Sequence, residues 1–288
     1  MSALKRSPSH LLLATDLSAR SDRAIDRAIA LARAWHARLT VLHVLDELNV
    51  QNDQPSRPAL AGAQQRAMRI LRDDLADADG IRIDLLVKSG HPGDVILEAA
   101  KQLGCDFVVT GIAGNAPMGQ SLLGSTVTKV TRHASAPVLV VKQRARTSYR
   151  QVTVATDFSP ASGSALDLAL ELFEVDQLSL FHAYDAPYRP LTEEPEAYSR
   201  ECARLAIRKA QDFLEEAGIP DQIEIVVLEG DVGRLIANHA AAHGVDLIVT
   251  GTHGKSGIAH LLVGSVVSAI LDEAPCDILV APSIRKKS

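Results

Sequence analysis

The sequence predicts an α/β protein of two tandem doubly wound domains. Each is expected to be a five-stranded parallel sheet of order 3-2-1-4-5 with helices on both faces. Three observations carry this reading. The chain of 288 residues repeats itself once, at an offset that stays between 139 and 141 residues. Within each half, short apolar β-rich runs alternate with stretches of helical periodicity, the pattern of βαβ units. Apolar residues make up 47% of the chain but aromatic residues only 3%, so its cores are aliphatic, as in sheets buried on both faces.

The elements of the first half follow in order. Residues 11–15 form an apolar run that stops at Asp16 and predict the first strand. Residues 19–36 place Ala24, Ile25, Ala28, Ile29, Leu31 and Ala32 at helical spacing, with Ser18 as the expected N-cap. The β-rich run 39–45 predicts the second strand. Beyond a Pro- and Gln-bearing loop at 51–58, the polar amphipathic stretch 61–78 predicts a helix. A strand at 81–87, a helix at 93–103 and a strand at 107–110 come next. After a glycine-bearing loop, a helix at 121–133 and a strand at 138–141 close the half. The second half repeats the series, with strands near 152–156, 178–183, 223–228, 247–250 and 278–281. The expected division is residues 1–146 and 147–288. Right-handed crossovers then put the first and fourth strands side by side at the point where strand order reverses, where open α/β sheets bind ligands.

Bulk properties exclude several functions. A net charge of -5 leaves no electrostatic footprint for nucleic acid or an anionic membrane. The basic clusters at 144–150 and 285–287 read as a solvated linker and tail. No apolar run reaches the length of a membrane-spanning helix, and the N-terminus has no signal-peptide core. Cys105, Cys202 and Cys276 are isolated, which suggests neither disulfides nor a zinc cluster. A cytosolic location is expected.

The repeat is sharpest in one motif. Gly111-x-x-Gly114-x9-Gly124-Ser125 in the first half returns as Gly251-x-x-Gly254-x9-Gly264-Ser265 in the second. A strand that stops in glycines and reopens in Gly-Ser before a helix aims backbone N–H groups at an anion such as a phosphate. Other repeated pairs are Asp16/Asp157, ending the first strand of each half, and His43/His182 near the end of the second. A dinucleotide fingerprint fails, because Thr15-Asp16-Leu17-Ser18 stands where its glycines belong. A P-loop fails because the near match from Gly114 to Ser121 has Gln120 in place of lysine. An adenylating enzyme of the pyrophosphatase type is expected to carry Ser-Gly-Gly after the first strand, where this chain has aspartate.

Taken together, these residues resemble the ATP-binding branch of the universal stress protein family, in two tandem copies over nearly the whole chain. The resemblance implies an adenine nucleotide, ATP, alone or with Mg2+, in each crevice. Implied contacts in the first half are Ala14, Thr15, Asp16, Val44, Gly111, Gly114, Gly124, Ser125 and Thr126. In the second half they are Ala155, Thr156, Asp157, Ala183, Gly251, His253, Gly254, Lys255, Gly264, Ser265 and Val266. Asp16 and Asp157 would accept from the adenine amino group, the backbone at Val44 and Ala183 would flank the base, and the glycines and serines would surround ribose and phosphates. The copies differ: Lys255 and Gly257 follow Gly254, whereas Asn115 and Pro117 follow Gly114. Proline removes a donor, so the second site is expected to bind more tightly.

Competing roles are ordinary ones. Asp16 and Asp157 can cap the helices that follow, although Ser18 and Ser159 can do so instead and leave the aspartates for ligand. His239 and His243 have metal-compatible helical spacing but no companion glutamate between them, so no metal site is expected. No nucleophile–base set, arginine finger or Walker lysine is evident, so no catalytic residues are assigned and slow ATP hydrolysis is the most expected of the chain. The implied role is a stress-response regulator that signals through nucleotide-dependent conformation or partner binding, with a slow nucleotide-processing enzyme and a scaffold for another small ligand as alternatives. The resemblance also implies a pseudo-dimer of the two domains through their last strands, with homodimers of chains an open extension.

Overall fold

A computed structural model describes residues 7–46, 57–112, 124–174, 177–189, 192–219, 223–252 and 265–282. The chain divides into two compact units, Met1–Thr147 and Ser148–Ser288. In the first unit the order is β1 (His10–Thr15), α1 (Asp22–Trp35), β2 (Arg38–Leu45), α2 (Arg57–Asp74), β3 (Ile83–Ser89), α3 (Pro92–Leu103), β4 (Phe107–Gly111), α4 (Ser125–His133) and β5 (Val138–Val141). In the second it is β6 (Gln151–Ala155), α5 (Pro160–Leu172), β7 (Gln177–Tyr184), α6 (Pro195–Glu216), β8 (Glu224–Glu229), α7 (Val232–His243), β9 (Leu247–Gly251), α8 (Ser265–Glu273) and β10 (Asp277–Ala281).

All pairings within each unit are parallel. The first sheet runs β3-β2-β1-β4-β5 and the second β8-β7-β6-β9-β10, the predicted 3-2-1-4-5 in both. Right-handed crossovers moving outward in opposite directions from β1 place α1 and α2 on one face and α3 and α4 on the other. The packing of α3 against α4, and of α7 against α8, agrees. Central strands are buried on both faces: every residue of β1 and β4 is buried. Their aliphatic side chains, Leu11, Leu12, Leu13, Val108 and Val109, are removed from water completely, each worth about 1.5–3 kcal/mol of transfer free energy.

An aspartate sets the register of the first strand in each unit. Asp106, just before β4, accepts from Ser9 N at 2.9 Å and His10 N at 2.9 Å. Asp246 does the same for Arg150 N at 3.0 Å and Gln151 N at 3.2 Å. This explains why Gly104-x-Asp106 returns as Gly244-x-Asp246. The glycines end α3 and α7 in the left-handed conformation (φ 65° and 63°), where a β-carbon is disfavoured.

Several boundaries differ from the sequence reading. Helix α2 begins at Arg57, four residues before the periodicity suggested, because Pro58 falls in the first turn where no N–H bond is lost. It also stops earlier, giving way to turns in which Ala76 N bonds Asp73 O and Ala78 N bonds Leu75 O. Strand β3 runs two residues further than predicted, paired as far as Leu45 with Ser89. Helix α1 begins at Asp22, not at residue 19, with Ser21 as its N-cap in place of Ser18. Its counterpart α5 begins a full turn earlier, at Pro160, with Ser159 as the cap accepting from Ser162 N at 3.4 Å. Proline's preset φ favours a helical first residue there, and Ala19 supplies no such bias.

Candidate functional site

The strand register brings the predicted residues that lie on strands to one edge of each sheet. Thr15, the last residue of β1, lies opposite His43 on β2, and Ala14 lies opposite Thr110, next to Gly111 on β4. In the second unit Ala155 lies opposite Phe181, and Thr156 N donates to Phe181 O at 2.9 Å. The carboxyl ends of β1 and β4, and of β6 and β9, therefore flank the point where strand order reverses.

A tight turn leaves each first strand, and it is built identically in both units. Thr15 Oγ1 accepts from Leu17 N at 3.1 Å, and Asp16 Oδ1 accepts from Ser18 N at 2.9 Å and from the Ser21 hydroxyl at 2.5 Å. Thr156 Oγ1 accepts from Phe158 N at 2.9 Å, and Asp157 Oδ1 accepts from Ser159 N at 3.1 Å and the Ser162 hydroxyl at 2.6 Å. The residue after each aspartate is left-handed, Leu17 at φ 60° and Phe158 at φ 61°. A histidine from the second strand closes the arrangement. His43 Nδ1 lies 3.0 Å from Thr15 O, and His182 Nδ1 lies 2.8 Å from Thr156 O. A carbonyl only accepts, so Nδ1 carries the proton in both rings.

This geometry corrects one expectation. Ser159 caps α5 as expected and Ser18 does not cap α1, but in neither unit is the aspartate left aside: each carboxylate is the hub of its turn, with Ser18 and Ser159 as backbone donors to it. Burial opposes ionisation of Asp16, but hydrogen bonds from Ser18 and Ser21 outweigh it and hold its pKa below the ordinary range. Asp16 is thus an anionic acceptor at neutral pH, and it remains exposed at the crevice. Ser21 and Ser162 were missed by sequence reasoning, although both stand five residues after the aspartate. Their repeat was masked by the helical pattern starting beside them.

Of the other predicted residues, Val44 and Ala183 follow the two histidines on β2 and β7 and are half-buried. Gly124 is the N-cap of α4 with no side-chain cap, so the N–H groups of the first turn, at Ser125 and Thr126, have no intrahelical partner. Ser125 is exposed and Thr126 half-buried. Ser265 is the first residue of α8, and Val266 beside it is exposed. Gly111 and Gly251 end β4 and β9. Their surroundings differ: a β-carbon at 251 would stand 2.8 Å from the Ala161 carbonyl oxygen on α5, whereas one at 111 would meet nothing closer than 3.8 Å. Gly114, His253, Gly254, Lys255 and Gly264 lie outside the described residues, as does Pro117.

Several features lie apart from these crevices. A cleft of about 500 Å³ runs beside α1, with Asp22, Arg23, Asp26, Asp74 and Arg144 in its walls, and contains no predicted nucleotide residue. His239 and His243 lie on α7 with ring centroids 4.4 Å apart. Among the described residues no group of three or more His, Cys, Asp or Glu side chains is arranged to hold a metal ion. Burial pushes the Cys105 thiol up to about 11, which leaves it protonated and unsuited to nucleophilic work. Among the described residues no helix is long and apolar enough to cross a membrane.

Comparison with known proteins agrees with the doubled architecture. The model of the universal stress protein family matches residues 8–142 and again residues 148–282. The chain is 29% identical over 293 residues to a universal stress protein of Mycolicibacterium smegmatis, covering 94% of this chain and 96% of that one. It is 35% identical over 133 residues to a universal stress protein of Thermus aquaticus, covering 46% of this chain and 97% of that protein. A universal stress protein from Archaeoglobus fulgidus shares the fold, with a TM-score of 0.71 at 20% identity over 96% of each chain. Two successive family matches, each spanning one five-stranded unit with the same turn at its switch point, establish that the chain belongs to the universal stress protein family as a tandem member.

Proposed function

We propose that the chain binds ATP at the carboxyl edge of each sheet and acts as a regulator whose nucleotide state governs what it contacts. The observation that carries this reading is the aspartate turn at the switch point, built twice with the same hydrogen bonds. An anionic carboxylate held there offers acceptor capacity for the 6-amino group of adenine, where guanine carries a carbonyl that cannot donate. Across the crevice, the uncapped first turn of α4 offers backbone donors and the positive end of a helix dipole, which suit phosphate. Divalent cation enters with the phosphates as Mg-ATP. Lys255, in the second copy of the motif only, adds a cation for phosphate and makes that site the tighter one. Nucleotide occupancy then biases the conformation of the glycine segments, and a partner that prefers one state reads it.

The test is to denature freshly purified protein and to identify and count the released nucleotide per chain. Two equivalents of ATP support two working sites, and one supports the tighter second site. ADP in its place supports slow hydrolysis. No released nucleotide, together with no heat of binding on adding Mg-ATP, overturns the reading. Competition by a cyclic nucleotide in the same titration tests whether the crevice prefers a different small ligand.

A further inference from the structure

We propose that His43 and His182 are positioning residues for ligand binding. Each donates Nδ1–H to the carbonyl of the threonine before the aspartate and so holds the turn that presents the carboxylate. The inference rests on the nucleotide reading for its ligand, but its structural content stands on the turn alone. Leu17 and Phe158 occupy a left-handed conformation that bulky side chains rarely adopt, and such residues persist only where their surroundings over-determine them. Most of the determinants are local: the threonine and aspartate belong to the turn itself, and Ser21 and Ser162 follow within five residues. The histidine is a long-range one. It reaches across 28 residues of sequence in the first unit and 26 in the second, from the neighbouring strand.

That bond anchors the turn to the sheet, fixing the carbonyl that immediately precedes the aspartate. In the second unit the contact extends to the rings. Phe158 lies 4.3 Å from His182 between centroids and 5.9 Å from Phe213 on α6, so the left-handed residue is clamped between imidazole and helix. In the first unit Leu17 stands in place of that ring, and the His43 bond remains. Two copies that diverge in the packing residue yet keep the same donor and acceptor point to the hydrogen bond as the common requirement.

The experiment compares His182→Asn with His182→Leu in the full chain, and the same pair at His43. Asparagine places an N–H donor near the position of Nδ1, whereas leucine keeps apolar volume and removes the donor. Three readouts are taken: hydrogen exchange of the Phe158 and Ser159 amides (Leu17 and Ser18 in the first unit), Mg-ATP affinity at the altered site, and melting temperature. Leucine is expected to raise exchange at those amides and to weaken ATP about tenfold, equivalent to about 1.4 kcal/mol. Asparagine is expected to restore both. A purely structural role would lower the melting temperature of both variants and leave affinity unchanged, which overturns the proposal. So does an asparagine variant that behaves like leucine. If the wild-type chain binds no ATP, the nucleotide reading fails separately, and the exchange measurement still decides the role of the histidine. If the leucine variants do not fold, ¹⁵N shifts of the wild-type rings decide: Nδ1-protonated imidazoles are required, and the opposite tautomer overturns the assignment.

Discussion

Gly251→Ala is expected to destabilise the second unit, while the equivalent Gly111→Ala leaves the first almost unchanged. The added carbon at 251 would lie 2.8 Å from the Ala161 carbonyl oxygen, 2.9 Å from its carbonyl carbon and 3.1 Å from its β-carbon. Carbon contacts are comfortable from about 3.5 Å, so the first turn of α5 must retreat by roughly 0.6 Å from the carbonyl carbon. Backbone cannot swing aside as a long side chain does, and overpacking of this kind costs about 1–3 kcal/mol. For a domain of this size each kcal/mol is worth about 2–4 °C, so the melting temperature of the second unit should fall by about 2–12 °C. At residue 111 the nearest atoms are the Ala24 β-carbon and the Ser21 Cα, both at 3.8 Å, an ordinary contact. There the lost flexibility of the unfolded chain can even add about 0.4–1 kcal/mol. Differential scanning calorimetry of both variants and the parent chain provides the comparison, with Mg-ATP titration alongside, because the retreat of α5 carries the Asp157 turn with it. Equal melting temperatures for the two variants, or a lower one for Gly111→Ala, would refute the steric argument.

Other perturbations have equally defined outcomes. Tyr149 is buried and donates to the buried Asp277 Oδ2 at 2.6 Å, so Tyr149→Phe should cost about 1.5–3 kcal/mol in urea denaturation. The same change at Tyr188, which is 64% exposed, should fall within about 0.5 kcal/mol and serves as the control. Burial of His239, then the neighbouring His243, lowers its pKa, and its Nε2 has no hydrogen-bond partner. The folded state therefore favours the neutral ring: the stability it contributes is complete above the unfolded pKa of about 6.5 and is lost as pH falls below it. His239→Leu should flatten the stability profile between about pH 7 and pH 5, and a profile as steep as that of the parent would exclude His239 as its source. Asp157→Asn keeps an acceptor for Ser159 N and the Ser162 hydroxyl but turns the other carboxylate oxygen into a donor. ATP binding at that site should weaken about tenfold while folding changes by no more than about 1 kcal/mol; unaltered affinity would remove Asp157 from the site.

Much of this molecule was legible before any coordinates, because its information is local or repeated. Apolar runs such as 107–110 declare buried strands, and their alternation with helical periodicity restricts the sheet to parallel pairing with right-handed crossovers. The repeat at an offset of about 140 residues then doubles the domain and singles out Asp16 and Asp157 without further knowledge. Boundaries were less legible where competing signals overlapped, as at Ser18 to Ser21, where two candidate caps lie within one turn.

Only the tertiary structure decided the conformation of the site itself. Nothing in a leucine or a phenylalanine announces a left-handed backbone, and the conformation at Leu17 and Phe158 is imposed by hydrogen bonds from their surroundings. The tie from His43 to Thr15 joins residues that share a strand register but no local pattern. Gly111 and Gly251 occupy the same motif position, yet only Gly251 is hemmed in by backbone, because α5 begins one turn earlier than α1 and brings Ala161 against it. Periodicity and repetition determine which elements form and in what order. Close approaches between elements depend on distances of a few tenths of an ångström, which exist only once the chain has packed.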